Sequence, residues 1–206
     1  AGTATTKTLT SLSLTEGSTY YLSVRVTDAA GNVSSVSTAD GITIDLAAPS
    51  GSTISDGTGT DITYSGSDTT LSANWAAFTE TVSGLQKYEY AIGTTSGGTD
   101  VLTWTDNSTT ASVSKTGLTL TSGSTYYISV RGTDNVGNVS TTITSNGVTV
   151  DTAAPTLGSV TDSSSTDLDW TKSTSTLTGV WTGFSDALSG IEKYEYAIGT
   201  TSGGTD

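Results

Sequence analysis

The chain of 206 residues has no cysteine, no histidine and no methionine. It therefore cannot form a disulfide scaffold or a thiolate or imidazole metal site, and no histidine can serve as the base for a nucleophile. Only 7 lysines and arginines accompany 20 acidic residues, and the net charge of −13 argues against nucleic acid as a partner. No apolar run approaches the ~20 residues of a membrane span, and the first residues lack a basic-then-apolar signal region.

Serine and threonine dominate what is present, with 78 residues between them beside 24 glycines. Threonine is β-branched and favours strands, whereas strong helix formers are few. Apolar side chains alternate with polar ones, and clusters of Gly, Ser, Asp and Asn separate the runs; examples are 71–75, 87–92, 126–130 and 148–150. This period of two predicts an all-β chain of short antiparallel strands that form a β-sandwich.

The sequence repeats itself with an offset of 106 residues. Residues 87–100 recur without change at 193–206, and residues 18–34 recur with few changes at 124–140. Sliding the first hundred residues onto the last hundred needs no gap. A repeat of this length predicts a tandem array in which each unit is one sandwich.

The two prolines suggest where one unit ends and the next begins. Pro49 and Pro155 lie in matching Ala-Ala-Pro segments after strand-like runs. Proline cannot donate to a ladder and biases the preceding residue toward extended backbone, so both segments are predicted to be short, stiff linkers. The predicted domains are the C-terminal half of a sandwich at 1–46, a complete sandwich at 47–152 and the N-terminal half of the next at 153–206.

The half-repeats at the two ends leave two interpretations open. The favoured one is an excerpt of a longer array, which also fits the missing signal region. The other is a subunit whose front half completes the back half of the next copy, which would generate a head-to-tail fibre.

A set of aromatic and turn residues links the chain to a known family. Trp75 lies in the second predicted strand and Tyr88 in the third, and Leu120, Gly123 and Tyr126 form a leucine–glycine–tyrosine set before a Tyr-x-Ile-x-Val alternation. A glycine can take positive φ at a tight crossover, and the tyrosine after it can bury its ring while its hydroxyl bonds the loop backbone. The chain thus resembles fibronectin type III and immunoglobulin-like tandem modules of large bacterial surface proteins.

The segment 56–70 is longer than the family usually carries between its first two strands. Tyr64 and the matching Trp170 are expected to fold an extra aromatic ring onto the core.

The resemblance also predicts where acidic side chains gather. In a fibronectin-like sandwich the last strand ends at the pole that faces loops of the next unit, so carboxylates from several loops would meet at each junction. Calcium requires oxygen ligands of this kind, although Asp and Asn also suit solvated turns and the spacing matches no standard calcium loop. The candidate ligands are Asp45, Glu80, Asp134 and Asn138 at one junction and Asp151 and Asp186 at the other. No other cofactor is expected.

For three further features of the sequence, a structural role is favoured over a functional one. Glu89 and Arg131 are expected to form an exposed ion pair across neighbouring strands. The glycine-rich run 93–98 has no following lysine or helix, so it is predicted to be a hairpin loop rather than a phosphate loop. Trp104 is expected on an edge strand, where it packs or, alternatively, stacks on a sugar.

These features favour a structural function over catalysis, because no nucleophile–base set or catalytic cleft can be assembled from them. We expect an extracellular stalk, adhesin or filament that spaces or assembles at the bacterial cell surface. Its partners would be neighbouring repeats and other copies of itself. The alternative is a carbohydrate- or protein-binding module of a secreted protein that contacts a surface glycan or protein ligand.

Overall fold

The computed structural model describes residues 3–163 and 166–206; residues 1, 2, 164 and 165 of the predicted half-repeats lie outside the described residues. Every regular element in the described ranges is a β-strand. The all-β prediction is therefore confirmed. Among the described residues there is no helix long and apolar enough to cross a membrane.

Fifteen strands follow one another along the described part of the chain. The first four are short: β1 Thr19–Tyr20, β2 Ser23–Val24, β3 Ser37–Thr38 and β4 Ile42–Thr43. The central strands are β5 Ile54–Asp56, β6 Tyr64–Ser65, β7 Leu71–Trp75, β8 Leu85–Gly93, β9 Leu102–Asp106, β10 Ser112–Lys115, β11 Thr125–Asp134, β12 Ile143–Thr144 and β13 Val148–Val150. The last two are β14 Ser159–Thr161 and β15 Val180–Thr182.

The central strands form two sheets that enclose one core. One sheet has the order β10-β7-β5, and the other has the order β6-β13-β11-β8-β9 with β12 paired to β11. Inward residues of both sheets join one apolar cluster, which gives the chain a β-sandwich. Its buried members are Leu71, Ala73, Trp75, Phe78, Tyr88, Tyr90, Ile92, Leu118, Leu120, Tyr126, Ile128, Val130, Val148 and Val150.

Contacts between aromatic rings, and the crossover that leads into β11, fix the geometry of this core. The Trp75 and Phe78 rings both meet Tyr88 edge-on, with centroids 5.5 and 5.2 Å apart. At the crossover into β11, Gly123 has φ +85° and the hydroxyl of Tyr126 accepts the Thr121 N–H at 2.9 Å. The predicted bond from this tyrosine to the loop backbone is thus confirmed.

Pairs of hydroxyl groups join neighbouring strands at several places in the sheets. Thr125 Oγ1 lies 2.8 Å from Thr149 Oγ1, and Ser129 Oγ lies 3.0 Å from Thr144 Oγ1. The same kind of pair links Thr19 to Thr43 across β1 and β4 at 2.7 Å. Threonine in these strands therefore contributes cross-strand hydrogen bonds as well as backbone preference.

The segment between β5 and β7 departs from prediction. Its strand β6 pairs with β13 in parallel, in a fold predicted to be antiparallel. The expectation that Tyr64 and Trp170 add rings to the core is wrong: their side chains are 42% and 89% exposed. Tyr64 lies on an edge strand at the end of the second sheet, so its ring does not enter the space between the sheets.

The segments on either side are much less buried than the centre. Residues 3–46 contribute only the two-residue strands β1 to β4, and residues 153–206 contribute β14 and β15 among those described. Most large apolar side chains in both segments are exposed, although Trp181 still lies 5.7 Å from the Tyr194 ring. The predicted boundaries at 46/47 and 152/153 remain a prediction.

Candidate functional site

Three predicted calcium ligands come together next to the first proline linker. One carboxylate oxygen from each of Asp45, Glu80 and Asp134 lies within 4.8 Å of the others. Asp45 follows β4, Glu80 lies between β7 and β8, and Asp134 ends β11. Asp45 and Asp134 are buried and Glu80 is half-buried. In the described part of the chain, the ion pairs that form all involve other carboxylates, so no basic side chain neutralises this group.

Asn138, the fourth predicted ligand at this junction, holds the group together with its amide nitrogen. Nδ2 donates to Asp134 Oδ2 at 2.8 Å and to the Ala47 carbonyl at 3.2 Å. The Ser83 N–H donates to Asp45 Oδ2 at 3.1 Å. These bonds fasten the segment that precedes Pro49 to two loops of the central sandwich.

Asp134 is held in its charged form by the loop that follows it. Burial raises the pKa of this carboxyl, but hydrogen bonds from the Asn138 side chain and from backbone N–H groups outweigh burial and bring the pKa below its ordinary value. Oδ1 accepts the N–H groups of Val136, Gly137 and Asn138 at 2.7–3.0 Å. The local turn therefore already satisfies one oxygen of this group, and Asn138 satisfies the other.

The second predicted junction is built from fewer acidic groups. Asp151 Oδ2 and Asp186 Oδ1 both accept the N–H of Ser189, at 3.1 and 2.8 Å. The bond from the Ser189 N–H to Asp151 corresponds to the bond from the Ser83 N–H to Asp45, 106 residues earlier. The structure thus brings the predicted pair to one backbone amide, without a third carboxylate among the described residues.

A second polar group lies on the outer face of the larger sheet. Arg131 stands opposite Glu89 in the register of β11 and β8, and its Nη2 lies 3.0 Å from Glu89 Oε2. The predicted cross-strand ion pair is confirmed, but it is partly buried rather than exposed: the Arg131 and Glu89 side chains are 31% and 17% exposed. The Arg131 guanidinium carbon also lies 4.3 Å above the centroid of the Trp104 ring, which makes a cation–π contact across β8.

Lys87 and Asp106 extend this outer-face group. Lys87 Nζ lies 3.3 Å from Glu89 Oε1 and 3.4 Å from Asp106 Oδ2. Its hydrogen bond to Glu89 is the main cause that raises the pKa of Lys87. Trp104 lies on β9, the edge strand of the sheet as predicted, and its ring is half-buried. An indole and four charged side chains therefore share one accessible sheet face.

A buried acid that the sequence analysis missed lies between the two sheets. Asp56 is 0% exposed, and its Oδ1 has no hydrogen-bond partner among the described residues. Oδ2 accepts the Gly147 N–H at 3.1 Å, while Asp61 Oδ1 accepts the Asp56 N–H at 2.8 Å. The recurrence of this Asp-x4-Asp spacing at Asp162 and Asp167 was the signal that could have found it.

Burial raises the pKa of Asp56 to about 6, and the charge of Asp61 adds to that rise. The Ser145 side chain and the Gly147 N–H lower the pKa but do not restore its ordinary value. The carboxyl thus titrates within the mildly acidic range.

Comparison with known proteins relates the chain to parts of two enzymes. No family model matches. The chain is 35% identical over 149 residues to exoglucanase B of Cellulomonas fimi, a match that covers 72% of this chain and 13% of that protein. It is 34% identical over 154 residues to chitinase A1 of Niallia circulans, which covers 74% of this chain and 20% of that protein. The chain thus spans a small share of the length of either curated relative.

Proposed function

We propose that this chain is a non-catalytic, carbohydrate-contacting region of a secreted protein that acts on polysaccharides. The observation that carries the proposal is the match to small parts of an exoglucanase and a chitinase, whose names refer to glucan and chitin. The units of this region would be fibronectin type III-like modules. Trp75 in the core and the hydrogen bond between the Tyr126 hydroxyl and the Thr121 N–H support this assignment. Polymers too large to cross a membrane are met outside the cell, so the proposed location is extracellular.

The outer face of β8, β9 and β11 is the surface proposed to contact the polysaccharide. Arg131 covers one face of the Trp104 ring, so a sugar would contact the rest of the ring's exposed apolar surface, while carboxylate and guanidinium groups hydrogen-bond its hydroxyls. Trp104, Arg131 and Glu89 supply these groups within one connected set. The charged side chains already orient one another, which lowers the entropy cost of holding them in place for a ligand.

Co-sedimentation with insoluble glucan and with chitin tests this proposal. Replacing Trp104→Ala is expected to weaken binding about tenfold, the equivalent of one aromatic contact. Trp170→Ala is the matched control, because Trp170 is 89% exposed and lies outside this face. Binding that stays unchanged in Trp104→Ala, or that falls equally in both variants, would contradict the proposal.

A second candidate function is spacing, in which the region acts as a stalk at the cell surface. The group formed by Asp45, Glu80 and Asp134 favours it, because a calcium ion there would tie the proline linker to the following sandwich. Three carboxylates close together repel one another, and a divalent cation would relieve that repulsion. We propose the same role, with fewer protein ligands, for Asp151 and Asp186.

Thermal unfolding with calcium and with chelator tests the stiffened linker. At calcium about 100-fold above its dissociation constant, the midpoint is expected to rise by roughly 5–10 °C. Glu80→Gln should abolish most of that rise, whereas Glu192→Gln, an exposed acid far from the cluster in sequence, should not change it. Equal midpoints in calcium and chelator would exclude the ion.

A further inference from the structure

The outer face of the larger sheet carries aromatic side chains on three of its strands. Trp104 lies on β9 and Tyr64 on β6, which are the two edges of the sheet, and Tyr127 lies on β11 in the middle. Both sequence neighbours of Tyr127 are core residues, so its own side chain points outward. Thr149, which lies between two core valines, is in register with Tyr64 and places it on the same face.

A β-bulge brings Trp104 onto this face. The register of β8 and β9 shifts at Ala91, which stands opposite both Thr103 and Trp104. Bulges of this kind re-aim a side chain. The Trp104 ring reaches over β8 and meets the Arg131 guanidinium on β11. Ala91 is 0% exposed even though it lies on the outer side of its strand. The indole therefore lies across the sheet, and the part of it that Arg131 leaves free faces solvent.

A glycine makes room for the ring of Tyr127. Gly147 precedes β13 with φ +97°, and a Cβ there would approach Tyr127 Cε1 to 2.7 Å. The ring is thus packed against the backbone of Gly147, on the side of β13 and β6. Contacts between aromatic rings and glycine also stabilise sheets, so Tyr127 has a structural role as well. Its side chain is only half-buried, and part of the ring stays accessible.

The three side chains, which we call the aromatic row, lie on one diagonal of the sheet. Trp104 is level with Ser129 of β11, two residues from Tyr127. Tyr64 is level with Thr125 of β11, two residues further in the same direction. Each step therefore crosses two interstrand spacings and moves two residues along the strands, which separates successive Cα atoms by about 12 Å. A straight ligand that lies on this diagonal meets all three rings.

The charges beside the aromatic row cancel one another. Two cations, Lys87 and Arg131, form ion pairs with two anions, Glu89 and Asp106. This face is therefore locally neutral, although the chain has a net charge of −13. Both cations already have acidic partners, so an anionic polymer would gain little from them. A ligand without charge fits this surface best.

We propose that the aromatic row binds one extended chain of a neutral polysaccharide, which crosses the strands from β9 to β6. The step of about 12 Å is close to the length of a disaccharide unit in an extended chain, so successive aromatic rings would meet alternate sugars. Contacts joined by one chain reinforce one another, because each contact after the first is intramolecular. This inference rests on the proposed carbohydrate contact and adds the class of ligand, its direction and two further contact residues, Tyr127 and Tyr64.

Calorimetric titration with oligosaccharides of two lengths tests the aromatic row. The parent should bind cellohexaose or the chitin hexasaccharide at least about tenfold more tightly than the corresponding disaccharide, because only the longer chain reaches a second ring. Tyr64→Ala should weaken hexasaccharide binding about fivefold and leave disaccharide binding unchanged. Tyr127→Leu should weaken hexasaccharide binding similarly, and its midpoint in urea shows whether any loss comes from unfolding.

Ile62→Ala is the matched control for Tyr64→Ala. Ile62 lies in the same connection between β5 and β7, and it is 39% exposed where Tyr64 is 42% exposed. It lines the cleft between the sheets together with Leu71 and Val148, so it lies off the outer face. Its variant should bind both lengths of oligosaccharide like the parent. An equal loss of binding in Ile62→Ala and Tyr64→Ala would overturn the assignment of Tyr64.

Failure of the aromatic row and failure of the proposed function give different results. If hexasaccharides bind no more tightly than disaccharides, or if Tyr64→Ala equals the parent while Trp104→Ala loses binding, the row is wrong and the single contact at Trp104 stands. If the parent binds no oligosaccharide and no polymer, both the row and the proposed function are wrong.

The salt dependence of binding tests the neutral character of the ligand. Affinity for the chitin hexasaccharide should stay nearly constant as salt is raised, because no charge is exchanged with the ligand. Carboxymethyl cellulose, an anionic chain, should bind more weakly than neutral cellulose. A steep loss of affinity with salt, or tighter binding of the anionic chain, would overturn the assignment of a neutral polysaccharide.

Discussion

Asp56→Asn is expected to stabilise the protein near neutral pH. The carboxyl is 0% exposed and Oδ1 has no hydrogen-bond partner among the described residues, so its charged form is poorly solvated. Moving the pKa from 3.8 to about 6 corresponds to about 3 kcal/mol of cost for ionised Asp56 in the folded state. The neutral amide of asparagine, of nearly the same shape, avoids this cost.

The sign of the pH dependence follows from the raised pKa. Between 3.8 and about 6, the folded state binds more protons at Asp56 than the unfolded state does. The free energy of unfolding should therefore fall as pH rises through this window, with the contribution of neutral Asp56 fully present below it. The parent and Asp56→Asn should be nearly equal in stability at the acidic end and differ by up to about 3 kcal/mol above the window.

Urea unfolding followed by tryptophan fluorescence, repeated from pH 4 to 7, measures this difference. The matched control is Asp162→Asn, because Asp162 holds the equivalent position in the repeat but is exposed. Its profile should follow the parent at every pH. Parallel profiles for the parent and Asp56→Asn, or a loss of stability in Asp56→Asn near pH 7, would refute the reasoning.

Three further predictions test the core, the crossover into β11 and the ion pair on the outer sheet face. Trp75→Ala should lower the free energy of unfolding by about 3–5 kcal/mol in calorimetry, because it removes a buried ring and leaves a cavity; a midpoint equal to the parent's would disprove the core assignment. Tyr126→Phe removes the acceptor of the Thr121 N–H and should cost about 1 kcal/mol in urea unfolding, and no loss would mean that water replaces the bond fully. A double-mutant cycle with Glu89→Ala and Arg131→Ala should give a coupling of less than about 1 kcal/mol, and a larger coupling would show that the pair is less solvated than its exposure indicates.

Much of the central sandwich could be predicted from alternation alone. Trp75, Tyr88 and Tyr126 all enter the core as predicted, because a period of two fixes which side chains share a face. The gathering of Asp45, Glu80 and Asp134 followed from the order of strands at one pole, combined with the family resemblance. Whether calcium binds there stays a prediction.

The remaining features depend on contacts between residues distant in sequence. Asp56 was placed only at the start of the long segment 56–70, and it is its packing against the connection that contains Gly147 that makes it a buried acid. Tyr64 and Trp170 were assigned to the core from residue type, but type alone does not say which strand ends at the edge of a sheet. The parallel pairing of β6 with β13 likewise could not be read from local pattern, because register between distant strands leaves no local trace.

The paired hydroxyls between strands have a consequence for the conditions that the molecule tolerates. Contacts such as Thr125 to Thr149 carry no formal charge, so screening by dissolved salt leaves them unchanged. They also contain no sulfur that oxidants could attack, and they do not titrate in the range where carboxylates and amines do. These hydroxyl contacts should thus persist from fresh water to brine, while the acidic loops and the ion pairs on the outer sheet face respond to the ionic surroundings.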